Sequence, residues 1–327
     1  MSTLILSRSD VVSLLTLPDC IEAVERAFRA HAEGRTLGPG VLGIHATGGG
    51  FHIKAAGLTG ERSFFAAKTN ANFPDNPQRF GLPTIQGTVV LSDAGNGAPL
   101  AVMESGSITA LRTGAATGVA AKYLARKDAR TAAIVGCGVQ GETQLAAIAA
   151  VRPLERVRLF DLDPARANAM VARVEHLGLR AEVVTDVHAA LRGSDICVTC
   201  TPSRRAFVSR DDLMPGAFLA AVGADNPEKQ EVDPALLAAV TLVVDVMDQC
   251  AEIGELHHAL AAGVMKREQV HAELGDVVAG RRPGRTRDDE ITIFDSSGTA
   301  LQDVAAAIAV YDKARATGRG LEVKLDG

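Results

Sequence analysis

Three glycines spaced as Gly136-x-Gly138-x-x-Gly141 follow the apolar run Thr131-Ala132-Ala133-Ile134-Val135 and lead into a helical pattern. In that context each has a task. Gly136 permits a tight turn, Gly138 lets the backbone approach a diphosphate, and Gly141 lets a helix pack closely on a strand, while free N–H groups at the helix start face the anion. A second apolar run ends at Phe160, and Asp161 follows it, about 20 residues beyond the glycines, where an acid can accept both ribose hydroxyls of NAD(H). Asp161-Leu162-Asp163 offers no Lys or Arg for a 2′-phosphate, and its carboxylates repel one, so NAD(H) is expected over NADP(H). The expected cofactor contacts are Gly136, Gly138, Val139, Gln140, Gly141 and Asp161, with Thr201 and Val222 at the ends of later strands.

Two other groupings have the residue types for chemistry without the geometry. Cys197 and Cys200 have C-x-x-C spacing inside a strand-like run, where positions three apart face opposite ways, and there is no second ligand pair. Adjacent His257 and His258 diverge by ~100° on a helix and do not easily share one ion. No metal site is expected, and both pairs read as structural.

The elements that must position these residues fall into two patterns. From residue 131 onward, β-rich runs at 131–135, 156–160, 181–184, 196–199, 218–222, 242–246 and 291–294 alternate with helical stretches, which predicts a parallel sheet wrapped by helices. Earlier, an amphipathic helix at 19–33 precedes strand-like segments broken by Gly48-Gly49-Gly50, Pro74-Asp75-Asn76-Pro77 and Asp93-Ala94-Gly95-Asn96-Gly97, the last flanked by a hairpin of 88–92 with 99–104. A helix at 107–126 joins the two parts. A second long helix at 300–316, with Leu301, Val304, Ala307, Ile308 and Tyr311 on one face, is expected to pack back on the first part. The fold class is α/β: a Rossmann-type, doubly wound parallel sheet over residues 113–302, plus a discontinuous α+β domain of residues 1–112 with 303–327.

Composition narrows the partners. A net charge of −5 with 47% hydrophobic residues gives no electrostatic footprint for nucleic acid. The chain has no Trp and two Tyr, too few aromatics for base-stacking platforms. No apolar run approaches the ~18 residues of a membrane span, and the start has no basic region followed by an apolar core. A cytoplasmic protein without membrane or nucleic-acid partners is expected.

Six motifs occur in order: Lys68 in Ala66-Ala67-Lys68-Thr69-Asn70; Pro74-x-x-Pro77; Thr109-Ala110-Leu111-Arg112-Thr113-Gly114; the glycine loop with Gln140; Gly223-Ala224-Asp225-x-Pro227-x-Lys229; and Asp295-Ser296-Ser297-Gly298. Together they make the chain similar, over nearly its whole length, to the ornithine cyclodeaminase / mu-crystallin family. The resemblance implies a two-part N-terminal substrate-binding and dimerisation domain, a central nucleotide domain, a homodimer, and a small amino or imino acid as substrate. It implies Lys68 and Arg112 as the cations that hold a substrate α-carboxylate and Asp225 as the general acid/base. Thr113, Gln140, Asp161, Lys229 and Ser297 become cofactor contacts. Those roles suit the chemistry. Hydride transfer at an α-carbon must fix a carboxylate and manage a proton on the neighbouring nitrogen; Arg grips a carboxylate with two parallel bonds and Lys adds a point charge. Each has a structural alternative: Lys68 solvated, Arg112 on an open helix face, Asp225 as a cap or turn residue.

The chain departs from the cyclodeaminase pattern at three places. A carboxylate-binding Arg, a Glu and a Met-Pro pair are expected near Val41, His52 and Lys54-Ala55. Lys54 can take over from the absent Arg, and His52, two residues away on the same strand face, suits a smaller or uncharged substrate tail than ornithine's δ-ammonium. The alternative puts both on the solvent side of a half-exposed strand. Three activities follow in order: a reductase of a small 2-imino acid, with cyclic ketimines such as Δ1-pyrroline-2-carboxylate first; an ornithine cyclodeaminase; and a mu-crystallin-like binder of NAD(P)H without turnover.

Overall fold

The computed structural model describes residues 2–325. The chain divides into two compact units: residues up to Arg112 together with those from Thr299, and Thr113–Gly298. The first boundary falls inside the helix Ser105–Leu124, and the second falls at Thr299, the N-cap of the helix Ala300–Thr317, four residues before 303.

The first unit is a seven-stranded sheet. Its strands are β1 (Ser2–Leu6), β2 (Thr36–Ala46), β3 (Gly49–Leu58), β4 (Phe64–Asn72), β5 (Ile85–Asp93), β6 (Pro99–Glu104) and a C-terminal strand, Leu321–Lys324, in the order C-terminal, β1, β6, β5, β4, β3, β2. From β2 to β6 it is an antiparallel meander; β1 runs parallel to β6 and antiparallel to the C-terminal strand. The short terminal strands were hidden in the sequence because neither alternates polar and apolar residues over enough length. Helix Ala300–Thr317 packs against helix Leu17–Ala32 and against β3 and β4. From Ala300 to Ala307 it is buried all round, so the expected single stripe is there a band that includes the polar Gln302 and Asp303.

The second unit is an eight-stranded, all-parallel sheet made of β7 (Thr131–Val135), β8 (Arg156–Phe160), β9 (Arg180–Val183), β10 (Ile196–Thr199), β12 (Phe218–Ala221), β14 (Thr241–Val244), β15 (Ala272–Glu273) and β16 (Thr292–Asp295). A separate ribbon pairs β11 (Arg204–Val208) with β13 (Gln230–Val232). The order β15-β14-β16-β12-β10-β7-β8-β9 reverses direction at β7, with β8 and β9 to one side and β10, β12 and β16 to the other. Such a reversal is where open α/β sheets bind ligands, beyond the carboxyl ends of the strands. Three strands end earlier than the apolar runs suggest: Val184, Val222 and Val246 lie past β9, β12 and β14. The ends of β10, β12 and β16 are nonetheless fully buried, so hydrophobicity does not mark where pairing stops. No helix among the described residues is long and apolar enough to cross a membrane.

Candidate active site

In the second unit, the glycine loop follows β7 and opens the helix Val139–Ala149. Gly136 has φ +103°, which a side chain would strain, and its N–H donates to the Phe160 carbonyl at 2.9 Å. A Cβ on Gly141 would stand 2.1 Å from the Gly136 carbonyl oxygen and 3.1 Å from Ile134, so close helix–strand packing requires glycine there. At Gly138 a Cβ would meet nothing within 4 Å. Gly138 is also the N-cap and supplies no side-chain cap, leaving the first N–H groups of an 11-residue helix available to an anion. This cradle fits a dinucleotide diphosphate.

Asp161 is half-buried beside the loop. Its Oδ2 accepts the Cys137 N–H at 2.8 Å and its Oδ1 accepts the Asp163 N–H at 2.9 Å, while Asp163 caps the helix Pro164–Val174. The acid therefore fixes the loop. Val139 is exposed, and Gln140 accepts a 3.4 Å bond from Gln144. Thr113 is buried in the helix Ser105–Leu124. Val222 is half-buried past β12, and Thr201 donates both its N–H and its hydroxyl to Glu231. Ser297 is turned inward: its hydroxyl donates to Asp245 at 2.7 Å and accepts from Gln249. Asp225 is exposed on the turn after β12 and forms a 2.8 Å ion pair with Lys229, so two residues expected to have separate roles touch. His258 Nε2 donates to the Lys229 carbonyl (2.8 Å) and His257 Nδ1 to the Ala251 carbonyl (3.3 Å); both rings serve local backbone.

In the first unit the cations meet. Register places Lys54 directly opposite Lys68 and His52 opposite Asn70, so all four point to one face of the sheet. Lys54 is 8% exposed, Lys68 2% and Arg112 5%, which removes the solvent-side alternatives for these three; His52 is half-buried. Lys68 and Arg112 meet at Asp303, which the sequence reading did not single out, and the Lys54 charge also acts on it. Lys68 Nζ donates to Asp303 Oδ1 at 2.8 Å. Arg112 Nε lies 2.9 Å from the same oxygen, but its N–H is not directed at an acceptor, so we read this as a contact of charges; Arg112 Nη1 donates to Gln302 at 2.7 Å. Among the described residues Asp303 Oδ2 is buried without a hydrogen-bond partner.

Burial pushes the Lys68 ammonium down to about 7, with the Arg112 charge adding to the fall and Asp303 opposing it. Burial raises the Asp303 carboxyl, and the Arg112 and Lys68 charges outweigh that and hold it below its ordinary range. Three cations about one internal carboxylate leave positive charge in surplus. A substrate carboxylate would meet that surplus. The clue to Asp303 in the sequence is a lone acid in an otherwise apolar stretch of helix.

The sequence model of the ornithine cyclodeaminase/mu-crystallin family matches residues 1–318. The chain belongs to this family. It is 39% identical to the alanine dehydrogenase of Archaeoglobus fulgidus over 324 residues, covering 99% of each chain. Among solved structures, an archaeal alanine dehydrogenase dimer with bound NAD superimposes with a TM-score of 0.94 at 39% identity, covering 99% of this chain and 100% of that one. The Δ1-pyrroline-2-carboxylate reductase of Thermococcus litoralis, in complex with NADH and L-proline, does so with 0.93 at 35% identity, covering 98% and 100%. Family members thus include both amino acid dehydrogenases and imino acid reductases on this scaffold, and the α/β class read from the sequence is the fold found.

Proposed function

We propose that the chain is an NAD(H)-dependent oxidoreductase of a small 2-imino or 2-amino acid, working as a reductase of cyclic ketimines such as Δ1-pyrroline-2-carboxylate. The observation that carries this reading is the buried cluster of Lys54, Lys68 and Arg112 about a single carboxylate, in a chain that also holds a dinucleotide cradle. Arg112 and Lys68 take the substrate α-carboxylate, Lys54 stands in for the absent family Arg, and Asp303 keeps the cations extended in the empty enzyme. The bound dihydronicotinamide supplies the hydride. Asp225, which forms a 2.8 Å ion pair with Lys229, gives the ring nitrogen its proton. Asp161 gives the preference for NADH, since no cation in Asp161-Leu162-Asp163 balances a 2′-phosphate. His52, where a cyclodeaminase has a carboxylate, leaves nothing there to draw the δ-ammonium of ornithine. A homodimer and a cytoplasmic location go with this reading.

Following NADH absorbance with Δ1-pyrroline-2-carboxylate tests it directly. NADH should be consumed, faster than NADPH at equal concentration, and ornithine should release no ammonia. Ammonia from ornithine without net NADH change would make the chain a cyclodeaminase. NADH binding with no turnover of any imino or amino acid would make it a binding protein.

A further inference from the structure

Four carboxylates lie fully buried in the second unit, on Glu231, Asp245, Glu255 and Asp295, and among the described residues none of them has a cation as hydrogen-bond or ion-pair partner. A buried carboxylate is costly unless its lone pairs are filled. These are filled by backbone N–H groups together with hydroxyls and one thiol, and three of the four form a chain that starts at the sheet. Asp295 closes β16 and accepts the N–H groups of Glu255 (3.1 Å) and Leu256 (2.9 Å). Glu255 accepts those of Glu231 (2.8 Å) and Val232 (3.1 Å). Glu231 ends the chain. Its Oε1 accepts the Thr201 N–H and hydroxyl, each at 2.7 Å, and its Oε2 accepts the Gly223 N–H at 2.9 Å and the Thr199 hydroxyl at 2.7 Å. A Cβ on Gly223 would stand 2.4 to 2.5 Å from the Glu231 carboxyl atoms, so glycine at 223 is what admits the carboxylate.

We propose that Glu231 is a positioning residue: one carboxylate ties together the turns that leave β10 and β12, and with the second turn it fixes the backbone that carries Asp225. The inference rests on the reading of Asp225 as the proton donor. Each Glu231 oxygen holds one backbone N–H, and an N–H cannot turn round to accept as a hydroxyl can. A glutamine has one accepting oxygen. Its NH2 must face either Thr201 or Gly223, so Glu231→Gln keeps size and shape yet releases one of the two turns.

The test uses full-length enzyme with NADH and Δ1-pyrroline-2-carboxylate, measuring kcat, KM, the thermal midpoint and the primary isotope effect with NADH deuterated at the transferred position. Glu231→Gln should lower kcat at least tenfold and raise the isotope effect, because a misplaced proton donor slows the chemical step. The KM for the imino acid should stay within threefold, since no residue of the carboxylate cluster bonds to Glu231. Thr199→Val removes one donor to Glu231 from a buried strand end without changing side-chain shape. It should lower kcat threefold or more with the same rise in isotope effect, and it decides the matter if Glu231→Gln does not fold. A folded Glu231→Gln with kcat within twofold of wild type, or a Thr199→Val with wild-type rate and isotope effect, overturns the proposal. Asp225→Asn run alongside separates the two claims. Wild-type kcat in that variant overturns the proton-donor reading and this inference with it; a collapse there beside a wild-type rate in Glu231→Gln overturns this inference alone.

Discussion

Lys68 is a cation in a place that disfavours its charge, and its partners decide at which pH it is charged. Burial and Arg112 lower its pKa to about 7, and Asp303 pulls the other way. The charged form is the protonated one, so attraction for a substrate carboxylate is complete below that pKa and is lost as pH rises through it. In the reductase reading, kcat/KM for the imino acid therefore falls across neutrality. Asp303→Asn removes the one neighbour that raises the Lys68 pKa, so the falling limb should move to lower pH; a limb that stays in place or moves up would contradict the role given to Asp303. The sequence made Lys68 and Arg112 legible because each stands in a short motif. Asp303 was not legible, since it lies 235 residues from Lys68 and only the packing of the last helix on β3 and β4 brings them together. Lys54 stands between these cases. Its two-residue offset from His52 gave the strand face, and the antiparallel register with β4 decided which side that face looks to.

At the scale of the element, the strand–loop–helix from Thr131 to Ala149 was readable because its constraints are local: turn, anion cradle and helix contact all act within a dozen residues. The glycines are not equivalent, and two substitutions separate them. Gly141→Ala puts a Cβ 2.1 Å from the Gly136 carbonyl, which cannot be relieved without opening the helix from the strand; overpacking of this kind costs ~1–3 kcal/mol. Gly138→Ala meets nothing in the chain and has extended backbone that alanine adopts freely, so it loses only the advantage of glycine over alanine as an N-cap. In the proposed NADH complex its methyl would occupy the space of the diphosphate. Gly141→Ala should therefore lower the thermal midpoint more than Gly138→Ala does, and Gly138→Ala should weaken NADH binding tenfold or more, measured by fluorescence titration. Equal NADH affinity in Gly138→Ala and wild type would remove the diphosphate from this loop. The burial of the second unit's acids was not legible at this scale: Asp245 and Asp295 lie in or just past apolar runs that read as ordinary strands, and Glu231 lies in a polar stretch that reads as an exposed loop.

For the molecule as a whole, the strand β2 sets the expectation. It is an edge strand of eleven residues, paired on one side with β3, and among the described residues nothing pairs with its outer side. Edge strands that must stay single are usually short or carry charges, especially Lys, that refuse a neighbour. The stretch Thr36–Ala46 has no Lys, Arg, Asp or Glu, and it exposes Leu37, Val41, Leu42 and Ile44, each more than two-fifths open to solvent. Apolar exposure of this kind along an unpaired edge marks an interface. A second copy of the chain is the occupant proposed here, in keeping with the dimeric archaeal alanine dehydrogenase. Light scattering on the wild-type protein should give twice the mass of one chain. Leu42→Lys with Ile44→Lys should give the mass of one chain with the circular dichroism of the fold retained, because both side chains lie outside the core of their own unit. A wild-type monomer would refute the dimer outright, and a doubly substituted protein that remains a dimer would move the interface away from β2.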